Sequence, residues 1–98
     1  MSTVLEKEVE SRLRTQVKSK LGGMAIKFVS PGLRGVPDRI VLLPGGRIVF
    51  VETKKPKENL RKLQKYVCGL IAGLGFDVRR IDTKEKVDLF IQEMGGNT

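Results

Sequence analysis

Three side chains between positions 38 and 54 are of the types that metal-assisted phosphodiester hydrolysis uses. Asp38 precedes the apolar run Ile40 to Leu43, and Glu52 and Lys54 close the run Ile48 to Val51. Two carboxylates and a backbone carbonyl are natural ligands for a hard divalent cation such as Mg²⁺ or Mn²⁺. Such an ion stabilises charge on a phosphate and acidifies water. A lysine beside it can orient the water or stabilise developing charge. A lone Glu-x-Lys is common, and its ordinary meaning is a solvated ion pair at a strand end. Pro37-Asp38 ahead of an apolar hairpin that ends on Glu52-Thr53-Lys54 carries much more weight.

The hairpin decides whether these groups meet. Glu52 and Lys54 are two apart, so on a strand they share a face. A two-residue loop of Gly45-Gly46 would place Asp38 opposite Thr53, with its side chain on the other face from Glu52. A three-residue loop of Pro44, Gly45 and Gly46 pairs Leu43 with Arg47 and sets Asp38 across from Glu52. Pro first and Gly third suit a type I turn followed by a bulge. The turn chemistry therefore favours one shared acidic site.

The remaining elements supply the frame. Val9, Leu13, Val17 and Leu21 draw an apolar stripe on a helix over 3–21, stopped by Gly22-Gly23. A short strand is expected over 24–29, then a loop over 30–37. Strands over 38–43 and 47–54 are apolar on both faces, as central covered strands are. Pro56 ends the second. A helix over 57–74 carries Leu60, Leu63, Val67, Leu70, Ile71 and Leu74 on one stripe. A strand over 76–81 follows. Asp82 as N-cap, with Glu85 three residues on, starts a last helix that reaches about Met94. The order is α-β-β-β-α-β-α. The strand after the helical crossover joins the sheet in parallel, which gives an α/β fold with a mixed sheet flanked by helices.

Bulk properties narrow the classes. The 98 residues make one domain, 1–98. No apolar run approaches the ~20 residues of a membrane span, and the first residues lack a signal-peptide core, so a cytoplasmic protein is expected. Cys68 is the only cysteine and reads as a small buried hydrophobe. The absence of histidine excludes His-built zinc sites and Ser-His triads. Catalysis is left to carboxylates, lysine and metal. A net charge of +8 and a pI near 10.0 favour a polyanionic partner, most often nucleic acid.

Gly35-Val36-Pro37-Asp38-Arg39 followed by Phe50-Val51-Glu52-Thr53-Lys54 resembles the VRR-NUC family of PD-(D/E)xK nucleases, whose short stand-alone members are typical of viruses and bacteria. The resemblance runs from Glu6 to the final helix. It implies a restriction-endonuclease-like core and Mg²⁺- or Mn²⁺-dependent cutting of DNA, including branched DNA such as Holliday junctions. For a viral chain the location would be the host cytoplasm. Asp38, Glu52 and the main-chain carbonyl of Thr53 would hold the metal, with Lys54 as the catalytic lysine. Gln64 resembles the glutamine of the family's later motif. The family also carries an acid on its first helix. Glu6-Lys7-Glu8-Val9 fits with Glu6 as that acid, inside the arc of Val9, Leu13 and Val17. Glu10, one turn later, is the second choice.

Arg34, Arg39, Lys55, Lys57 and Arg61 lie around this motif and are the expected DNA contacts; for each helical one a solvated face is the plain alternative. With one tyrosine and no tryptophan, a stacking platform for single strands is unsupported. Three function classes compete: a structure-selective endonuclease, a non-catalytic nucleic-acid-binding module of a replication or repair complex, and a structural or regulatory partner of a phage replication complex. Carboxylates near phosphate help only the first. The two symmetric cuts of a four-way junction, together with the resemblance, lead to an expected homodimer.

Overall fold

The structure is a computed structural model and describes residues 4–54 and 60–95. Its elements are α1 (Val4–Leu21), β1 (Met24–Lys27), β2 (Arg39–Leu43), β3 (Arg47–Glu52), α2 (Arg61–Gly73), β4 (Asp77–Arg80) and α3 (Lys84–Gly95). The order is the one expected from the sequence. The sheet runs β1-β2-β3-β4, antiparallel except for the parallel β3–β4 pair across the α2 crossover.

The hairpin pairs Leu43 with Arg47, Ile40 with Phe50 and Arg39 with Val51. The loop is thus the three-residue one, and Asp38 lies one step beyond the last pair, level with Glu52. The turn itself differs from expectation. Both Gly45 and Gly46 have positive φ, 82° and 77°. A type I turn needs no positive φ at its second central residue, whereas Pro44-Gly45 with φ > 0 at glycine suits type II.

The two faces of the sheet are covered unequally. Val41, Leu43, Val49 and Val51 point into the main core, against Val9, Leu13 and Val17 of α1 and Val87, Phe90 and Ile91 of α3. Val9, Leu13 and Val17 of the α1 stripe are fully buried and Leu21 partly so, as the four-residue spacing leads one to expect. On the opposite face the rings of Phe28, Phe50 and Phe76 form a row, with centroids 5.9 and 5.6 Å apart. Helix α2 packs beside β4, and Val67 is its buried residue. Met24, Ile26 and Ile48 on this face stay exposed. The expectation that both faces of the central strands are covered therefore holds fully for the α1/α3 side only.

Two boundaries shift for local reasons. Thr83, not Asp82, caps α3: its hydroxyl accepts the Lys86 amide at 3.1 Å, while the Asp82 carboxylate takes the Lys86 ammonium at 2.9 Å. Strand β1 ends at Lys27, yet the Phe28 amide still donates to the Asp38 carbonyl at 2.9 Å, which ties β1 to the entry of β2. The start of the helix expected from position 57 lies outside the described residues; α2 is described from Arg61.

Candidate active site

The site forms where β2 begins and β3 ends. Pro37 is fully buried and fixes the chain as it enters β2. Gly35 just before it has φ 89°, and a Cβ there would meet Leu63 Cγ at 3.1 Å and the Gln64 amide nitrogen at 3.2 Å. Only glycine lets the loop press against α2 at that point. The same contact brings Gln64 to the end of β3.

The Asp38 carboxylate is held by Thr53. The Thr53 amide donates to Oδ1 at 2.8 Å and the Thr53 hydroxyl to Oδ2 at 2.5 Å. Thr53 is 1% exposed, so its side chain acts as a fixed strut. Its hydroxyl also lies 3.4 Å from Oε1 of Glu10. The threonine between the two motif residues thus links Asp38 to α1, a role that spacing alone did not suggest.

Glu52 is 6% exposed. Its carboxylate receives the Lys54 amide at 3.2 Å and the Gln64 side-chain amide. Burial pushes the carboxyl up to about 7, and the charge of Asp38 adds to the rise. The amides of Lys54 and Asp38 and the charge of Arg80 pull it back. Asp38 is therefore an electrostatic neighbour of Glu52, and its charge makes ionisation of Glu52 costly.

Lys54 takes a different course from the strand rule. Strand β3 ends at Glu52, so face alternation does not extend to Lys54. Its ammonium lies 3.7 Å from Oε1 of Glu10. Glu10, Asp38, Arg39 and Lys54 line one cleft, with Lys27, Phe28 and Val29; Glu52 and Gln64 line a second, adjoining cleft.

Glu10, the second choice by sequence, lies on the first helix at this end. Helix α1 runs antiparallel to β1, and Glu10 comes level with Arg39, Thr53 and Lys54. Glu6 is one turn nearer the N-terminus, roughly 6 Å further along the axis. The apolar arc fixes the correct face but not the height along the helix.

Arg39 also departs from expectation. It is 5% exposed, its Nη1 donates to the Ala25 carbonyl at 3.4 Å, and its Nη2 lies 3.7 Å from Glu10. A guanidinium so placed compensates a buried acid and is withdrawn from a DNA backbone. Arg34 and Arg61 are exposed. Lys55 and Lys57 lie outside the described residues. Arg80, unmentioned by any sequence motif, pairs in parallel register with Glu52 and shares its cleft. The crossover topology could have revealed it, because the strand after α2 must lie beside β3.

Among the described residues no group of three Asp, Glu, Cys or His side chains gathers to hold a metal ion. A Mg²⁺-type ion does not need one. It takes one or two carboxylates and completes its shell with water and substrate phosphate. Asp38 and Glu52, two carboxylates at neighbouring strand ends with the charging cost of Glu52 raised, fit that donor set. No helix among the described residues is long and apolar enough to cross a membrane.

No family model matches the chain. A protein of Acyrthosiphon pisum secondary endosymbiont phage 1, named "Putative nuclease p44", is 44% identical over 85 residues, which cover 87% of this chain and 90% of the phage protein. A solved structure described as "VRR_NUC domain" superposes with a TM-score of 0.78 at 27% identity, covering 92% of this chain and 97% of that one.

Proposed function

The chain belongs to the VRR-NUC nuclease family, and from that premise we propose that it is a metal-dependent, structure-selective DNA endonuclease that cuts Holliday junctions or related branched DNA. The observation that carries the reading is that Asp38 and Glu52 stand at neighbouring strand ends, one step beyond and at the close of the β2–β3 register, each carboxylate held by fixed donors. A divalent cation, Mg²⁺ or Mn²⁺, would be held by Asp38, Glu52 and the Thr53 main-chain carbonyl; it would stabilise phosphate charge and ease the loss of a proton to solvent from the water that attacks.

The chain's own residues prepare the rest. Thr53 fixes Asp38 through both its amide and its hydroxyl. Gln64 and the Lys54 amide fix Glu52. Glu10 holds the Lys54 ammonium beside Asp38 at the rim, where the lysine is half-exposed and can reach a phosphate oxygen. There it stabilises charge on the pentacovalent transition state.

A second copy of the chain suits the two symmetric cuts of a junction. Leu33 and Val36 or a sheet edge are the contacts the sequence offers. The exposed Met24, Ile26 and Ile48, beside the row of phenylalanines, favour the open sheet face instead. An apolar patch of this kind marks an interaction surface. Cleavage of a four-way junction, a flap and a linear duplex of matched sequence tests the reading. Preferential paired cutting of the junction is expected. Equal cutting of the linear duplex would refute structure selectivity.

A further inference from the structure

We propose that the cleft between α2 and β4 is a second phosphate seat, which holds the DNA backbone next to the scissile group, with Arg80 as its principal cation. The inference rests on the nuclease reading of the adjoining carboxylates and extends it to residues outside the catalytic pattern.

The cleft has a volume of about 410 Å³ and is lined by Glu52, Arg61, Gln64, Lys65, Val78 and Arg80, among others. That is too large for a phosphate alone and suits a phosphate with part of its sugar. Arg61 and Lys65 are one turn apart on α2 and both exposed. Arg80 faces them from β4. It sits one strand, roughly 4.8 Å, from Glu52 in the parallel register. A chain of phosphates that reaches Glu52 from this side must pass these three cations.

The two neighbouring arginines of β4 separate structural from available charge. Arg79 is committed: its guanidinium binds Asp77 at 2.6 Å and Glu93 at 2.8 Å and stands over the Phe90 ring. Arg80 is not. Among the described residues its one ion pair is with Asp82, at 4.0 Å, and that acid is already engaged by Lys86 at 2.9 Å; beyond it Arg80 acts only through its charge on Glu52. Its side chain is half-exposed. Among the described residues, Arg61 and Lys65 have no acidic partner. Three available cations around one acid leave an anion-seeking surface. Arginine adds a planar fork that matches two phosphate oxygens.

The test is salt-dependent binding of a fluorescent four-way junction to the full chain in EDTA, together with cleavage kinetics in Mg²⁺ and Mn²⁺. For Arg80→Gln, the slope of log affinity against log salt should fall by about 0.9, as for one lost phosphate contact. Affinity should drop several-fold, and KM should rise more than kcat falls. Arg61→Gln and Lys65→Gln, at exposed positions, should act in the same direction. Arg80→Lys should restore the slope and only part of the affinity. Arg14→Gln, on the exposed side of α1, should leave the slope alone. A wild-type slope and KM in Arg80→Gln, with the wild-type protein binding and cutting, would overturn this seat and spare the nuclease reading. A wild-type protein that neither binds nor cuts DNA would overturn both.

Discussion

The Gln64 side-chain amide donates to the buried carboxylate of Glu52 and ties α2 to the end of β3. A hydrogen bond to a charged acceptor contributes about 1.5–3 kcal/mol, and loss of the donor leaves a buried acceptor short of a partner. Gln64→Ala should therefore lower stability by roughly 2 kcal/mol at pH 8. At pH 5 Glu52 is protonated and the cost should shrink. Urea unfolding at the two pH values checks this. An equal cost at both would mean that Gln64 acts by packing and not through the Glu52 charge.

Glu52 gives the metal-free protein an unusual pH dependence. Its carboxyl is raised from 4.5 to about 7, so between those values the folded state binds more protons than the unfolded one. Stability from this group is complete below about 4.5 and is lost as pH rises through about 7, a change of roughly 3 kcal/mol at about 1.36 kcal/mol per pH unit. Glu52→Gln should remove that decline and make the metal-free protein more stable than wild type at pH 8. Mg²⁺ or Mn²⁺ should raise the Tm of wild type at pH 8 and leave the variant unmoved. Melting curves with and without EDTA read both effects. A wild-type Tm that rises from pH 5 to pH 8 without metal would contradict the assignment.

The pairing of Arg39 with Glu10 predicts a structural phenotype. Removing one member of a buried pair leaves the other charge uncompensated, at about 3 kcal/mol. Arg39→Gln should unfold at markedly lower urea. Its DNA affinity, measured below its unfolding transition, should keep the wild-type salt slope. A changed slope with unchanged stability would restore Arg39 to the DNA surface.

Exposed apolar residues on the open sheet face predict the dimer contact. Ile48→Lys and Met24→Lys touch no residue of the buried core, since Met24 is exposed and Ile48 partly so. Sedimentation at micromolar concentration should show a wild-type dimer, with the double variant moving to the 10.9 kDa monomer. Unchanged sedimentation would place the interface elsewhere, and a wild-type monomer would refute the dimer.

Local periodicity and turn chemistry were enough for the element order and for the alignment of Asp38 with Glu52. Pro44-Gly45-Gly46 fixes the register, and one residue more or less would have reversed the faces. What escaped was set by three-dimensional height and crossing. The arc of Val9, Leu13 and Val17 holds both Glu6 and Glu10; the packing of α1 brings Glu10 to Arg39, Thr53 and Lys54. Arg39 reads as one more surface cation until burial beside Glu10 gives it a partner. Arg80 has no motif at all, and it becomes visible only when β4 lies parallel to β3. The side-chain role of Thr53 is hidden for the opposite reason: only its main-chain carbonyl was expected to act, and its hydroxyl is an unremarkable group between two conspicuous residues.

Cleavage of a labelled four-way junction tests the central claim most directly. Wild type should nick it in Mg²⁺ or Mn²⁺ and stop when EDTA is added. Asp38→Asn and Glu52→Gln should still bind the junction and lose at least about tenfold in rate, since even loss of an outer partner of a metal ligand costs about 10–100-fold. Cutting that survives EDTA, or a Glu52→Gln protein that cuts at the wild-type rate, would contradict the account.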